Sequence, residues 1–236
     1  MKRNIDVCLT PNLIEQHDLA GKVVVVTDVF RATSCMVAGL ATGVKSITPV
    51  LEVEECLKLQ AQGYLAGGER HAKMIEGFDL DNSPFSYMAD KAKGKDIAMT
   101  TTNGTLAINK AKGKADEILV ASFSNLSPTA KYLQSIDKDV IVICAGWKGR
   151  PGLEDILFAG ALVKMLSETH ENEEDSTHLA TAAYEDAETD MVAYLQRASH
   201  LKRLKNLAGN DIPYCLIKDQ FDVVIHLVGD KLQLKD

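Results

Sequence analysis

Residues 23–34 read VVVVTDVFRATS. β-branched residues favour strands, and a strand that is apolar at every position must be covered on both faces. Strands of that kind belong to parallel sheets flanked by helices. The run then turns abruptly polar, with Asp28, Arg31, Thr33 and Ser34 following at once. Two readings are open for this transition. It is a polar turn that punctuates a core strand, or it is a site for an anion and a metal ion at the strand's end.

Outward from this stretch, strand and helix periods alternate. IDVCL, KVVVVTD, KSITPV, YLAGG, KDIAMTTT, DEILVAS and KDVIVICAG read as strands. Between them TSCMVAGLATG, EVEECLKLQAQG, NSPFSYMADKAKG, GTLAINKAKG and SPTAKYLQSI read as helices. Ser83 followed by Pro84 is a helix start, with a capping side chain and then a residue suited to the first helical position. A long helix is expected from Leu153 to Glu168, and ETHENEEDS after it as an exposed loop. The stretch from Thr177 to Gly209 has helical periodicity, and the C-terminal segment reads as two strands around a Gly-Asp turn. Glu168 to Asp190 holds nine acidic residues and no Lys or Arg, the composition of a solvated face. The fold class is α/β, a mostly parallel sheet with helices on both faces and the site at the strand carboxyl ends. Residues 1–236 are expected to form a single unit. The alternative is two interlocked α/β halves with a boundary near residues 120–140.

Composition narrows the function. The chain is 46% hydrophobic and 25% charged, with a formal net charge of −7. An acidic surface disfavours nucleic acid as a partner. Five cysteines without CxxC spacing argue against a zinc cluster or disulfide framework and for a reduced, cytoplasmic setting. No signal peptide or membrane-spanning run is expected. A homodimer is the expected assembly.

Polar residues collect where strands become helices, which is where open α/β sheets bind ligands. At the first junction Asp28 can hold a divalent cation and Arg31 can fork onto an oxyanion. Thr33 and Ser34 lie at the first helical turn, as helix caps or as substrate contacts. The second junction, GGERHAKMIEGFDLDNSP, crowds Glu69, Arg70, Lys73, Glu76, Asp79, Asn82 and Ser83 into a long loop. The third, MTTTNGT, offers Thr102, Asn103, Gly104 and Thr105 as a neutral phosphate cradle or as a capped turn. In the fourth, WKGRPGLED, Lys148 and Arg150 sit in a Gly-rich loop. Glu154 and Asp155 either complement a helix dipole there or bind magnesium. His200, near Arg203, has only composition behind it. Carboxylates, guanidiniums and hydroxyls on one sheet edge suit phosphoryl transfer, with Mg2+ as the implied cofactor.

The motifs DVFRATS, GGERHAKMIEGFD, NSP, TTTNGT, ASFSN and CAG with GRPGLEDILFAG occur in order. With SHLKRLKNLAGNDIPYC and DVVI further on, they resemble the 2-phosphosulfolactate phosphatase family. The resemblance implies a magnesium-dependent acid phosphatase. It would hydrolyse 2-phospho-3-sulfolactate, or a related small phosphorylated hydroxy acid, to 3-sulfolactate and phosphate, a step in coenzyme M synthesis. The expected catalytic groups are Asp28, Arg31, Glu154 and Asp155. Thr33, Ser34, Arg70, Lys73, Thr102, Asn103, Gly104, Thr105 and Arg150 are expected to bind substrate. Asp28, Glu69, Asp79, Glu154 and Asp155 are the candidate metal ligands. A haloacid-dehalogenase phosphatase is discounted because Phe30 stands where its second aspartate is needed. A non-catalytic phosphometabolite sensor, or a phosphatase for another small molecule, are the alternatives.

Overall fold

The computed structural model describes residues 2–204 and 209–235. Its strands are β1 (Arg3–Cys8), β2 (Val23–Thr27), β3 (Ser46–Pro49), β4 (Leu65–Arg70), β5 (Lys73–Met74) and β6 (Asp96–Thr100). They continue with β7 (Glu117–Val120), β8 (Val140–Cys144), β9 (His170–Glu171), β10 (Ile225–Val228) and β11 (Lys231–Leu234). Helices α1 (Ala32–Ala41), α2 (Val53–Gln60), α3 (Pro84–Met88), α4 (Gly104–Ala111) and α5 (Leu126–Ser135) fall between strands. So do α6 (Leu153–Leu166), α7 (Asp175–Ala187), α8 (Met191–Leu195), α9 (Ser199–Leu204) and α10 (Asp211–Cys215). No described helix is long and apolar enough to cross a membrane.

One mixed sheet runs in the order β5-β4-β6-β3-β11-β10-β7-β2-β8-β1-β9. It holds two parallel blocks, β4-β6-β3 and β7-β2-β8-β1-β9. The C-terminal hairpin joins them: β11 pairs antiparallel with β3, and β10 pairs antiparallel with β7. Three successive antiparallel pairings leave the two blocks running in opposite directions. The valines of β2 serve both faces of the sheet. Val23 and Val25 pack into a core with Leu133, Leu157 and Leu162. Val24 and Val26 pack into another with Met36, Leu40 and Ile108.

Helix α1 sits deeper than an ordinary covering helix. Nine of its ten residues are buried, and it touches α3, α4, β3, β7 and β11. That placement explains a sequence apolar on all sides. On the other face α6 and α7 cross closely, because a Cβ on Gly160 would stand 2.0 Å from the Ala180 carbonyl oxygen.

The structure departs from the sequence reading in three places. The helix after Ser83 is a short α3 followed by a separate 3-10 turn, Asp90–Ala92, because Ala89 adopts an extended backbone between them. The expected loop at ETHENEEDS contains β9, which pairs with β1 and buries His170. The single helical stretch after it is broken into α7, α8 and α9, with the Asp190 side chain accepting the Ala193 N–H to start α8. Its residues 205–208 lie outside the described residues. All nine acidic residues of the 168–190 run are exposed.

Two tests follow from this packing. Leu232, fully buried on β11 opposite Ile47, anchors the hairpin. Leu232→Ala should cost roughly 2–5 kcal/mol, read from urea denaturation; a loss below about 1 kcal/mol would mark the hairpin as peripheral. Separately, His17 Nδ1 donates to Asp6 Oδ2 at 2.7 Å and ties the 3-10 turn Pro11–Gln16 to β1. The Asp6 hydrogen bond, with help from Cys8, pushes the half-buried His17 up to about 10, from an ordinary 6.5. Above 6.5 the folded protein therefore keeps a proton that the unfolded chain loses. The stabilisation is complete below 6.5 and disappears as pH rises towards 10. The melting temperature of wild type should fall across that window more than that of His17→Gln; equal slopes would show the pair contributes nothing.

Candidate active site

A cavity of about 430 Å³ opens where the carboxyl ends of β2, β4, β6 and β8 meet. These strands belong to both blocks, which run in opposite directions. Residues that follow strands of both blocks nevertheless line this one cavity. The wall includes Asp28, Phe30 and Arg31 after β2, and Glu69, His71 and Ala72 around the end of β4. Thr101, Thr102 and Asn103 follow β6, and Trp147 and Lys148 follow β8. Asn82 and, from α9 on the far side, His200, Arg203 and Leu204 complete it.

Asp28 is 6% exposed. The N-terminus of α4 lies against it: a Cβ on Gly104 would stand 2.8 Å from Asp28 Oδ2 and 2.6 Å from the Ala32 Cβ. Its Oδ1 accepts only a long bond, 3.4 Å, from the Ala32 N–H. Burial pushes this carboxyl up to about 7; the charges of Glu154 and Glu69 add to the rise, while His200 opposes it. Glu154, buried in the first turn of α6, accepts from His200 Nδ1 at 2.5 Å through Oε1, and its Oε2 is buried without a partner. The His200 ring stacks on Trp147 at 5.7 Å, and Arg203 and Lys148 also lie over that indole. A histidine with Nδ1 fixed by a carboxylate leaves Nε2 for proton transfer.

The other carboxylates act as braces. Asp155 Oδ1 accepts the Val29 N–H and Oδ2 the Gly146 N–H, both at 2.8 Å, so it ties the β2 exit to the β8 exit. Burial, then Glu154 and Asp28, push Asp155 well above the usual carboxylate range. Glu69 Oε1 accepts from the Thr102 N–H and hydroxyl, and its Oε2 from the Ala72 N–H. Arg31 is 5% exposed and ion-paired through Nη1 with Asp211, while its Nε is buried without a partner.

The remaining sequence candidates are placed elsewhere or occupied locally. Asp79 accepts the Ala66 N–H and the Gln60 amide beside β4 and does not line the cavity. Arg70 donates to the carbonyls of Leu51 and Glu69 and to the Thr100 hydroxyl. Lys73 is exposed on β5. The Thr33 hydroxyl donates to the Asp28 carbonyl and that of Ser34 to the Val29 carbonyl, which ties the first turn of α1 back to the β2 exit. Thr105 exchanges bonds with Thr101 at the start of α4. Arg150 lines an adjoining cavity of about 440 Å³ that shares Trp147, Lys148, His200 and Arg203 with the first. Ser83 stands at the N-cap position of α3 as expected, but its side chain makes no cap bond; the hydroxyl donates to Asp211. Sequence reasoning missed Trp147, Asp211 and the Glu154–His200 pair. The only tryptophan of the chain, set in a Gly-rich loop, was a usable signal for the first.

The Gly104 approach is directly testable. Gly104→Ala must move Ala32 or the Asp28 carboxylate, yet it restores helix propensity. Any activity at this cavity should fall about tenfold or more, a barrier change of roughly 1.4 kcal/mol, while the melting temperature changes little. Full activity would place Gly104 outside the working geometry.

A family model described as 2-phosphosulpholactate phosphatase matches residues 8–230. A protein of Thermotoga maritima is 42% identical over 216 residues, covering 91% of this chain and 93% of its own length. One from Caldanaerobacter subterraneus is 40% identical over 221 residues, 91% of each chain. One from Clostridium perfringens is 36% identical over 237 residues, 97% of this chain and 95% of its own. All three carry the name "Probable 2-phosphosulfolactate phosphatase". The polar cavity at the strand ends is thus built from the motifs of a phosphatase family, and the chain belongs to the 2-phosphosulfolactate phosphatases.

Proposed function

We propose that the protein is a magnesium-dependent phosphatase that hydrolyses 2-phospho-3-sulfolactate to 3-sulfolactate and phosphate. The observation that carries this reading is Arg31: a buried guanidinium on the cavity wall, beside Asp28, with an unpartnered Nε. A buried cation with a free donor is a receptor for an oxyanion. The Asn103 side-chain amide adds a neutral donor on the same wall. Lys148 and Arg203, with Arg150 in the adjoining cavity, offer a second cationic region for the carboxylate and sulfonate. No Asp or Glu lines that adjoining cavity among the described residues.

The residues fit magnesium in a limited way. Among the described residues no three His, Cys, Asp or Glu side chains converge to hold a metal by themselves. Magnesium usually takes one or two carboxylates and completes its shell with water and substrate phosphate. Asp28 and Glu154 suit that role, since Glu154 Oε2 lacks a partner and Asp28 holds only a weak one. Asp155 and Glu69 have both oxygens engaged by backbone and side-chain donors, and Asp79 lies outside the cavity lining. When bound, magnesium supplies charge neutralisation at the phosphoryl oxygens. Arg31 then orients the phosphate, and Phe30 and Trp147 limit water in the cavity.

Phosphate release from 2-phospho-3-sulfolactate should require a divalent cation, and EDTA-treated protein at full rate would rule the metal out. Asp28→Asn and Arg31→Ala should each lose ~10²–10³ in rate with the fold intact. Under the same conditions 2-phospholactate should show a specificity constant lower by at least about tenfold. Equal constants would remove the sulfonate from the reading and leave a phosphatase of another substrate.

A further inference from the structure

We infer that Asp211 and Ser83 are positioning residues that fix the Arg31 guanidinium at the cavity wall; the inference deepens the phosphatase reading and rests on it. A guanidinium offers two forks, Nη1–Nη2 and Nη2–Nε. Asp211 Oδ2 takes Nη1. Nη1 is taken and Nε is enclosed without a partner, so the guanidinium has donors to spare. Arg31 itself lines the cavity, whereas Asp211 and Ser83 do not. Their role is therefore exerted through the guanidinium.

Three remote parts of the chain build the clamp. Arg31 precedes α1, Ser83 precedes α3, and Asp211 opens α10. Asp211 is 6% exposed, and its Oδ1 accepts the Ser83 hydroxyl at 2.8 Å. Both carboxylate oxygens are thus fixed, one by the serine and one by the arginine. A doubly held carboxylate sets the plane of the guanidinium, and a bidentate oxyanion contact depends on that plane. The pairing also leaves Arg31 without net excess charge in its own pocket. What the clamp contributes is direction at the phosphoryl group: the whole substrate is also held by the second cationic region, so its KM should change less than kcat, whereas inorganic phosphate lacks that second anchor.

The test uses Asp211→Asn, Ser83→Ala, Arg31→Ala and the double variant Arg31→Ala/Asp211→Asn, each checked by circular dichroism and thermal melting. Asp211→Asn keeps an oxygen for Ser83 and avoids a cavity. Turnover should fall at least about tenfold in Asp211→Asn and about threefold in Ser83→Ala, with KM changed less than kcat. In the Arg31→Ala background Asp211→Asn should cost nothing more, because both act at one point. Added guanidinium should restore part of the Arg31→Ala activity, and less in the double variant. Inorganic phosphate binding, followed by calorimetry, should weaken in Asp211→Asn and in Arg31→Ala alike. That arm separates the two ideas. Phosphate binding that depends on Asp211 without any ester hydrolysis would end the phosphatase reading and keep the clamp. Turnover and phosphate binding unchanged in Asp211→Asn, or a full additional loss in the double variant, would overturn the clamp. Wild type that neither binds nor releases phosphate would overturn both.

Discussion

The C-terminal hairpin is the constraint on which the rest depends. A parallel block cannot be extended by an antiparallel one unless some strand pair reverses the direction, and β10–β11 does this. The hairpin lies in the middle of the sheet order, although it is made from the last strands of the chain. The residues between β3 and β7 therefore cannot complete their sheet until the C-terminus arrives. Such pairing has a large sequence separation and a correspondingly high loop-closure cost. Its stabilisation is carried by burial: Ile225 and Leu232 are fully enclosed, in the same core as Ile47 and Val120.

Reversal also creates the cavity. In an all-parallel sheet the carboxyl ends share one edge, and a site there is a crevice between neighbouring loops. Here two blocks with opposite directions both send strand ends to one space, and α1 packs against β3 of one block and β7 of the other. The loops after β2 and β8 meet the loops after β4 and β6 across that space. Asp155 binds the first pair together, through Val29 and Gly146, and Glu69 binds the second, through Ala72 and Thr102. Buried carboxylates normally raise the free energy of a fold. These two are saturated by backbone donors. They are the structural members of an acidic cluster whose other members, Asp28 and Glu154, keep an oxygen open.

Much of the fold was legible because it rests on local patterning. The valine run, the Gly stops after α1 and α2, the Ser-Pro start of α3 and the terminal hairpin all follow from rules with a reach of a few residues. The opposed direction of the blocks did not, since direction is set by which strands pair. The site divides in the same way. Asp28, Arg31, Glu69, Thr102, Asn103 and Glu154 were readable as polar residues at strand-helix junctions, where geometry is fixed by the sheet. Arg70, Lys73 and Asp79 have the same chemistry and nearby positions. Arg70 and Lys73 fail to reach the cavity because β4 continues through Arg70 and forms a hairpin with β5, and Asp79, past that hairpin, is held beside β4 by the Ala66 N–H and the Gln60 amide. Nothing in a single sequence separates those two sets. Asp211, His200 and Arg203 stand on helices after the parallel sheet is complete, and their pairing with Arg31, Glu154 and Trp147 is a tertiary event with no local pattern.

The late helices therefore contribute what the sheet cannot. The sheet supplies rigid backbone and the first carboxylates, and left alone it would present Arg31 and Glu154 as buried charges of opposite sign without partners. An unpaired buried charge is among the most destabilising features a fold can hold. Asp211 on α10 and His200 on α9 each meet one of these charges, and Arg31 and His200 both line the same cavity. Neither closes its partner completely: Nε of Arg31 and Oε2 of Glu154 both remain open. The two open atoms differ in sign. A ligand that satisfies both must bring an acceptor to the guanidinium and a proton or cation to the carboxylate. A phosphate accompanied by a divalent cation has that polarity, whereas a lone anion would satisfy Arg31 and be repelled by Glu154 and Asp28. An anion with its counter-cation would meet both unpartnered atoms, and that polarity is what the proposed magnesium-dependent phosphatase requires.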